Sequence, residues 1–252
     1  MIRKHRAFFG ECGAVSLALV VCVLATQRCH ADNSTEEITL RTNSRISDMM
    51  EAATDYIKGK DWDKGVVVLQ QVLDRKEEFY IRLERQGPSG GKTLCWICAR
   101  DEANRLIATL PAEGLDCYRA RFEPNAREDF KAATAASDRK LLAQVADRYL
   151  NTETGVKAQT MLAIGHLEGR EYEQAASRFE VLLRVVGAEK LEPSTLFKAA
   201  LAFRYVRKDN EADKIWYKVK RRIEKDGLRL DDGTVLSVKE AEEQIRKAVP
   251  PK

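Results

Sequence analysis

The sequence predicts an all-α fold, an α-solenoid of antiparallel helix pairs with one or two small β-hairpin insertions. The first observation is composition: the 252-residue chain has only 14 Gly and 6 Pro and is rich in Ala, Leu, Glu, Lys and Arg, which favour helix. The second is a spacing of small and large residues that recurs in three segments, because a fixed internal repeat is typical of stacked helical arrays.

The recurring spacing places six positions on two helices joined by a short turn. Small residues on both helices let them approach closely, and a large residue on the second helix fills the space towards the next pair. The second helices also carry an apolar stripe of helical period, which buries one face. The three sets are Ala53, Tyr56, Trp62, Gly65, Leu69 and Val72; Ala163, His166, Tyr172, Ala175, Phe179 and Leu182; and Ala200, Phe203, Asp209, Ala212, Trp216 and Val219.

On these positions the chain resembles the tetratricopeptide-repeat (TPR) family, with repeats at about residues 46–79, 156–189 and 193–226. The resemblance implies stacked helix pairs and is nearly silent as to function. We interpret the chain as a non-catalytic scaffold that holds a protein partner in a groove between stacked helix pairs. The third repeat lacks the aromatic residue at the turn, where Asp209 stands, and residues 79–150 do not follow the spacing. We therefore expect an irregular array with an insertion.

The insertion at 79–150 is predicted to open with a β-hairpin, because residues 79–83 and 93–97 are β-prone runs joined by a glycine-rich loop at 87–91. A second small hairpin is expected at 228–238, around a turn at 231–233. The remaining helices are expected at about 100–110, 112–121, 126–136, 139–150 and 239–248.

A narrower resemblance begins at the segment Leu110–Arg119. This segment, followed by two helices and a repeat, resembles the helical region that precedes the β-propeller in some exported bacterial proteins with pyrroloquinoline-quinone-like (PQQ-like) repeats. No propeller sequence follows here, so the propeller's functions are not carried over. One alternative function is therefore an accessory or truncated helical module of such a propeller protein.

Residues 1–31 have the features of a cleavable signal peptide. Arg3, Lys4 and Arg6 precede an apolar stretch, and Cys29 and Ala31 are small residues at the positions that a signal peptidase reads. The apolar stretch is about 12 residues long, whereas a membrane span needs roughly 20. We expect an extracytoplasmic protein, periplasmic, envelope-bound or secreted, with no integral membrane span after cleavage.

The mature chain is expected to contain a disordered linker at 32–43 and a helical domain at 44–252. Removing residues 1–31 leaves 39 basic and 38 acidic residues. This near-neutral balance argues against a nucleic-acid partner, which needs a strong basic excess. The expected partner is therefore another protein of the cell envelope.

Three cysteines remain in the mature chain, an odd number that does not indicate a disulfide framework. Cys95 and Cys98 form a CxxC pair, but Cys95 falls in a predicted strand and not at a helix start, where a redox cysteine is activated. Structural thiols are the favoured interpretation. The alternatives are a local disulfide and a thiol-disulfide oxidoreductase that uses this pair.

The remaining motifs indicate no catalytic, cofactor-binding or metal-binding residue. Residues 87–93 lack the first glycine of a phosphate-binding loop, because Gln86 occupies that position. His166, the single histidine of the mature chain, falls at an inward repeat position, so a packing role is expected. The densest basic run, interpreted as a solvated face or a site for an acidic partner, comprises Lys214, Lys218, Lys220, Arg221, Arg222 and Lys225.

Overall fold

A computed structural model describes residues 40–86 and 91–248 of the chain. These residues form ten helices and two small antiparallel hairpins, which confirms the predicted mostly helical fold with small β insertions. The predicted signal peptide and most of the predicted loop at 87–91 lie outside the described residues. No helix in the described part of the chain combines the length and the apolar character needed to cross a bilayer.

The elements follow one another along the chain without a large sheet. The N-terminal part contains α1 (Ser44–Lys58), α2 (Trp62–Leu73), β1 (Tyr80–Gln86), β2 (Lys92–Cys98) and α3 (Ala99–Ala108). The central part contains α4 (Ala112–Ala135) and α5 (Arg139–Arg148). The C-terminal part contains α6 (Glu153–Glu168), α7 (Tyr172–Val185), α8 (Pro193–Tyr205), α9 (Asp209–Ile223), β3 (Leu228–Arg229), β4 (Val235–Leu236) and α10 (Val238–Lys247).

Four helix pairs have the same type of three-residue turn between their two helices. The pairs are α1/α2, α4/α5, α6/α7 and α8/α9. In each turn the third residue donates its N–H to the carbonyl five residues earlier, as Asp61 does to Tyr56 at 2.9 Å. The middle residue takes a positive φ between 50° and 60°, although none of the four is glycine: they are Lys60, Ser137, Arg170 and Arg207. This is a common way to end a helix, because it satisfies carbonyls of the last turn.

The α4/α5 pair was predicted only as part of an irregular insertion, and the structure corrects this. At the two positions that are small in the other pairs it has Phe130 and Leu142, and at the large position of the second helix it has Ala146. The size pattern is thus inverted, while the turn is the same. An alignment by residue size therefore misses this pair.

Helix α4 also corrects the prediction of two helices at 112–121 and 126–136, because it is one helix of 24 residues that runs through Pro124. Pro124 lies on the exposed side, where the carbonyl that loses its intrahelical donor can reach water. Tyr118 and Ala126, on either side of the proline, are both fully buried. Packing on both sides of the proline therefore holds the two halves as one helix.

The buried apolar residues form three clusters in chain order. The N-terminal cluster joins α1, α2, β1 and α3 with Tyr118, and the C-terminal cluster joins α6 to α10 around Phe179, Phe203 and Trp216. The central cluster is small and consists of Ala126, Val145, Ala146, Tyr149, Ala158 and Leu162. Burial is therefore distributed along the chain, with neighbouring helices in contact from α4 to α9.

Both predicted hairpins are confirmed. Strands β1 and β2 pair antiparallel from Tyr80 opposite Cys98 to Gln86 opposite Lys92. Strands β3 and β4 pair with Leu228 opposite Leu236. The second hairpin leads into α10, whose buried Ala241 and Ile245 complete the C-terminal cluster.

Candidate functional site: the interhelical groove

A groove of about 910 Å³ opens between the first hairpin with α3 on one side and helices α6 and α7 on the other, with α5 contributing between them. We call it the interhelical groove. Ile97, Leu150 and Val181 supply apolar surface in it. Five arginines also line it, from β1, α3 and α7: Arg85, Arg100, Arg105, Arg178 and Arg184. The groove thus offers guanidinium donors beside aliphatic surface.

Two of these arginines converge on a buried carboxylate. The side chain of Glu102 is 7% exposed, and it accepts hydrogen bonds from Arg105 Nε at 2.8 Å and Arg105 Nη2 at 2.7 Å. Arg85 of β1 donates to the same carboxylate. The hydrogen bonds to Glu102 raise the pKa of Arg105 above its ordinary value. Because the carboxylate is bound from both sides, it ties the hairpin to α3 and fixes this wall of the groove.

A second network fixes the other wall. Arg178 of α7 donates to Asp147 Oδ1 at 2.6 Å and to Gln159 Oε1 at 2.9 Å. Asn104 of α3 donates to the carbonyl of Asp147 at 3.3 Å, and Asn151 donates to the carbonyl of Asn104 at 3.1 Å. Gln159, Asn104 and Asn151 are buried, while the Arg178 and Asp147 side chains are partly exposed, and together the bonds connect α3, α5, α6 and α7.

Two groove residues of α7 are exposed to solvent. Arg184 of α7 makes no ion pair with any residue that the structure describes. Ser177, about two turns nearer the start of the same helix, also lines the groove and points away from the buried face that carries Phe179. The exposed side of α7 therefore faces the groove, while its apolar side faces the C-terminal cluster.

No family model, curated protein or solved structure matches this chain.

The CxxC pair lies partly at the groove. Cys95 is inside β2, as predicted, and Cys98 is the last residue of that strand and the N-cap of α3. Both thiols are free and half-buried, and Cys98 alone of the two lines the groove. The pair does not have the arrangement in which the first cysteine opens a helix and its thiolate is stabilised by the helix N-terminus.

His166 is half-buried at the end of α6, but its ring nitrogen has polar neighbours that the sequence did not suggest. Its Nδ1 lies 2.6 Å from Arg139 Nη2 and also contacts the carboxylate of Glu171. The hydrogen bonds from His166 and then from Arg139 lower the pKa of Glu171. The cluster links the turns of two neighbouring helix pairs, since Arg139 begins α5 and Glu171 precedes α7.

The basic run on α9 is separate from the interhelical groove. Lys218 pairs with Glu189 at 3.1 Å, and Arg222 donates to the carbonyl of Leu191 at 2.6 Å. Arg221 lies 5.9 Å from the ring centroid of Tyr217. Part of the run therefore has local structural partners, and the remainder is an exposed face.

Sequence reasoning missed the groove because its residues are far apart along the chain. Glu102 and Arg178, for example, are on helices that belong to different clusters. In the part of the chain that the structure describes, no group of His, Cys, Asp and Glu has the arrangement of a metal site. The one signal in the sequence is that α7 carries Ser177, Arg178, Val181 and Arg184 on the side opposite its conspicuous apolar stripe.

Proposed function

We propose that this protein is a non-catalytic helical-repeat scaffold that binds an extended segment of a protein partner in the interhelical groove. The observation that carries the proposal is the groove itself, in which arginines from three elements stand beside aliphatic side chains. Four of the arginines bond to groups of the chain itself and shape the walls, whereas the exposed Arg184 pairs with no described residue and can donate to a backbone carbonyl or carboxylate of the segment. The aliphatic surface accepts apolar side chains of the segment. The volume of about 910 Å³ falls within the range of ligand-binding clefts.

The four helix pairs with one common turn support the repeat architecture on which this function depends. We propose that successive pairs stack as a TPR-like α-solenoid, with α10 and the second hairpin covering its C-terminal end. Repeat arrays bind partners on surfaces that several repeats build together. The groove has this property, because α3, α5, α6 and α7 all contribute to it. Within this proposal the partner is a protein of the cell envelope, because the sequence predicts a signal peptide on this chain.

Site-specific photo-crosslinking in the native host tests the proposal. A photoreactive amino acid at Val181, in the groove, is expected to give a discrete adduct with one protein. The same probe at Ser47, on the exposed face of α1, serves as the matched control and is expected to give none. Ser177→Leu fills the groove from an exposed position and should abolish the Val181 adduct while the unfolding midpoint stays unchanged.

Two outcomes contradict the proposal. The first is that probes at Val181 and Ser47 crosslink to the same proteins in equal amounts, which would mean that crosslinking results from random collision and not from binding in the groove. The second is a Val181 adduct that survives Ser177→Leu unchanged, because a segment bound in the groove cannot share that space with a leucine side chain.

A further inference from the structure

Strand β2 has an open edge that carries large apolar side chains. The hairpin has two strands, so β1 covers one edge of β2, and no described residue makes backbone hydrogen bonds with the other. Leu94 and Trp96 lie on the outer face of β2 and are 52% and 51% exposed. An exposed edge strand with apolar side chains is a template for pairing with another strand, which soluble proteins avoid unless the edge is used.

The backbone groups available at this edge follow from the register. Tyr80 donates its N–H away from the hairpin, to the carbonyl of Arg41 at 2.9 Å, so Tyr80 and Cys98 are a non-hydrogen-bonded pair. Antiparallel ladders alternate between bonded and non-bonded pairs. The N–H and C=O groups of Leu94 and Trp96 therefore point outward, while those of Cys95 point towards β1.

We propose that this edge pairs with β2 of a second copy of this chain, antiparallel, about a two-fold axis at Cys95. Leu94 of one copy then lies opposite Trp96 of the other and exchanges both backbone hydrogen bonds with it. The two Leu–Trp pairs become direct cross-strand neighbours on one face of a four-stranded sheet. Lys92 of each copy lies diagonally beside Trp96 of the other, within reach of the ring face.

The order of residues makes this edge complementary to a second copy of itself. Leu94 and Trp96 flank Cys95 symmetrically, so an antiparallel copy in this register matches apolar to apolar at both positions. Centring the axis at Thr93 would place Leu94 opposite Lys92. Centring it at Ile97 would extend the pairing into α3, which begins at Ala99. Centring it at Leu94 or Trp96 would still pair the outward backbone groups, but it would set Trp96 opposite Lys92 or Leu94 opposite Cys98. Because Cys95 is the midpoint of β2 (Lys92–Cys98), the axis at Cys95 pairs the whole strand and also matches apolar to apolar at both positions, as a closed two-fold interface requires.

This register brings the two Cys95 residues directly opposite each other as a non-hydrogen-bonded pair, with Cα atoms about 4.5 Å apart. That separation lies within the range of about 4.4–6.8 Å that a disulfide bridges. With a small-molecule disulfide as oxidant, one Cys95 thiolate attacks it and releases one thiol. The second Cys95 thiolate then attacks the mixed disulfide and releases the other, so two electrons pass to the oxidant and an intersubunit disulfide forms.

The dimer surface and the groove are independent. Leu94 and Trp96 lie on the face of the hairpin opposite Ile97, which lines the groove. The crosslinking experiment and the following measurements can therefore fail separately.

Analytical ultracentrifugation of the full chain under reducing conditions tests the non-covalent dimer. We expect a reversible monomer–dimer equilibrium for the wild type and a dissociation constant at least about tenfold higher for Trp96→Lys. Leu141→Lys, which changes another exposed apolar residue on α5, is the matched control and should leave the constant unchanged. A wild-type chain that stays monomeric, or equal weakening by both lysine variants, overturns the proposal.

Non-reducing gel electrophoresis after exposure to oxidised glutathione tests the position of the axis. The wild type, Cys98→Ser and Cys117→Ser are expected to form a covalent dimer. Cys95→Ser is expected to lose it and to keep the non-covalent equilibrium. A covalent dimer that persists in Cys95→Ser, or that requires Cys98 or Cys117, overturns the proposed register.

Discussion

The C-terminal helix pairs and the central α4/α5 pair have the same type of turn but are held together by different contacts. Phe179, Phe203 and Trp216 are buried in a single apolar cluster that joins α6 to α10. The central cluster is much smaller, and α4 reaches its neighbours partly through polar groups: Tyr118 donates to Gln70 Oε1 of α2 at 2.9 Å, and both residues are buried. The same helix pair can thus be built on apolar packing or on satisfied buried hydrogen bonds.

The contact of α4 with α6 is the clearest example of helices held together by buried hydrogen bonds. The carboxylate of Glu123, with its side chain 12% exposed, accepts the backbone N–H of Glu153 at 2.9 Å and the hydroxyl of Thr154 at 2.5 Å. It therefore satisfies donors at the first turn of α6 from a different helix. At the same junction Gly155 packs against the backbone carbonyl of Tyr149 at the end of α5. These contacts depend on particular atoms at fixed distances, whereas an apolar cluster can be formed by many different combinations of side chains.

The largest effect is expected at this junction. The Cβ of Gly155→Ala would overlap the Tyr149 carbonyl, and backbone cannot move aside as a flexible side chain can. We expect a loss in the free energy of unfolding above about 4 kcal/mol, beyond the usual range for an overpacked site. Urea denaturation followed by circular dichroism measures it.

Gly165→Ala makes the same substitution in the same helix, where an added Cβ meets nothing within 4 Å. It should leave the protein as stable or increase stability by about 0.5–1 kcal/mol, because alanine restricts the unfolded chain more than glycine does. Equal effects from the two variants would mean that α5 and α6 do not approach closely at Gly155.

The apolar region is tested by Phe179→Ala. The phenylalanine ring is fully buried, so its removal should leave a cavity and lower the free energy of unfolding by about 3–5 kcal/mol. Ser177→Leu, two residues away on the exposed side of α7, should change it by no more than about 0.5 kcal/mol. Urea midpoints of the two variants decide whether α7 has one buried face. Comparable losses would show that the helix is buried all round.

The smallest of these effects is expected at Glu123, and it depends on pH. Burial by itself raises the pKa of Glu123, but hydrogen bonds from Thr154, Arg127 and Glu153 outweigh it and lower the pKa below 4.5. Glu123→Gln should therefore cost about 1 kcal/mol at neutral pH, by removing a charge at the start of α6.

The sign of the pH dependence follows from the lowered pKa. A carboxyl with a lower pKa in the folded state stabilises the fold fully above about pH 4.5, and this stabilisation is lost as the pH falls through the folded-state value. The difference between wild type and Glu123→Gln should accordingly shrink in acid. Glu128→Gln, an exposed position on the same helix, is the control, and a difference that grows in acid would contradict the assignment.

Periodicity made part of the fold predictable. The helix pairs α6/α7 and α8/α9, the two hairpins and most element boundaries follow from stripes of apolar residues and from turn composition, which are local properties of the chain. Helix α4 was predicted as two helices, because its continuity past Pro124 depends on Tyr118 and Ala126 being buried against other parts of the chain. The interhelical groove was not predicted at all.

The sequence by itself determined the helical composition, the apolar faces of α2 and α7 and the strand that contains Cys95. Each of these depends on neighbours within a few turns of the same segment. Only the tertiary structure decided that Phe130, Leu142 and Ala146 belong to a fourth helix pair, that Glu123 caps α6, and that Arg85 and Arg105 share Glu102. A buried polar contact is fixed by distance and direction between atoms of remote residues, and no local periodicity in the sequence records that geometry.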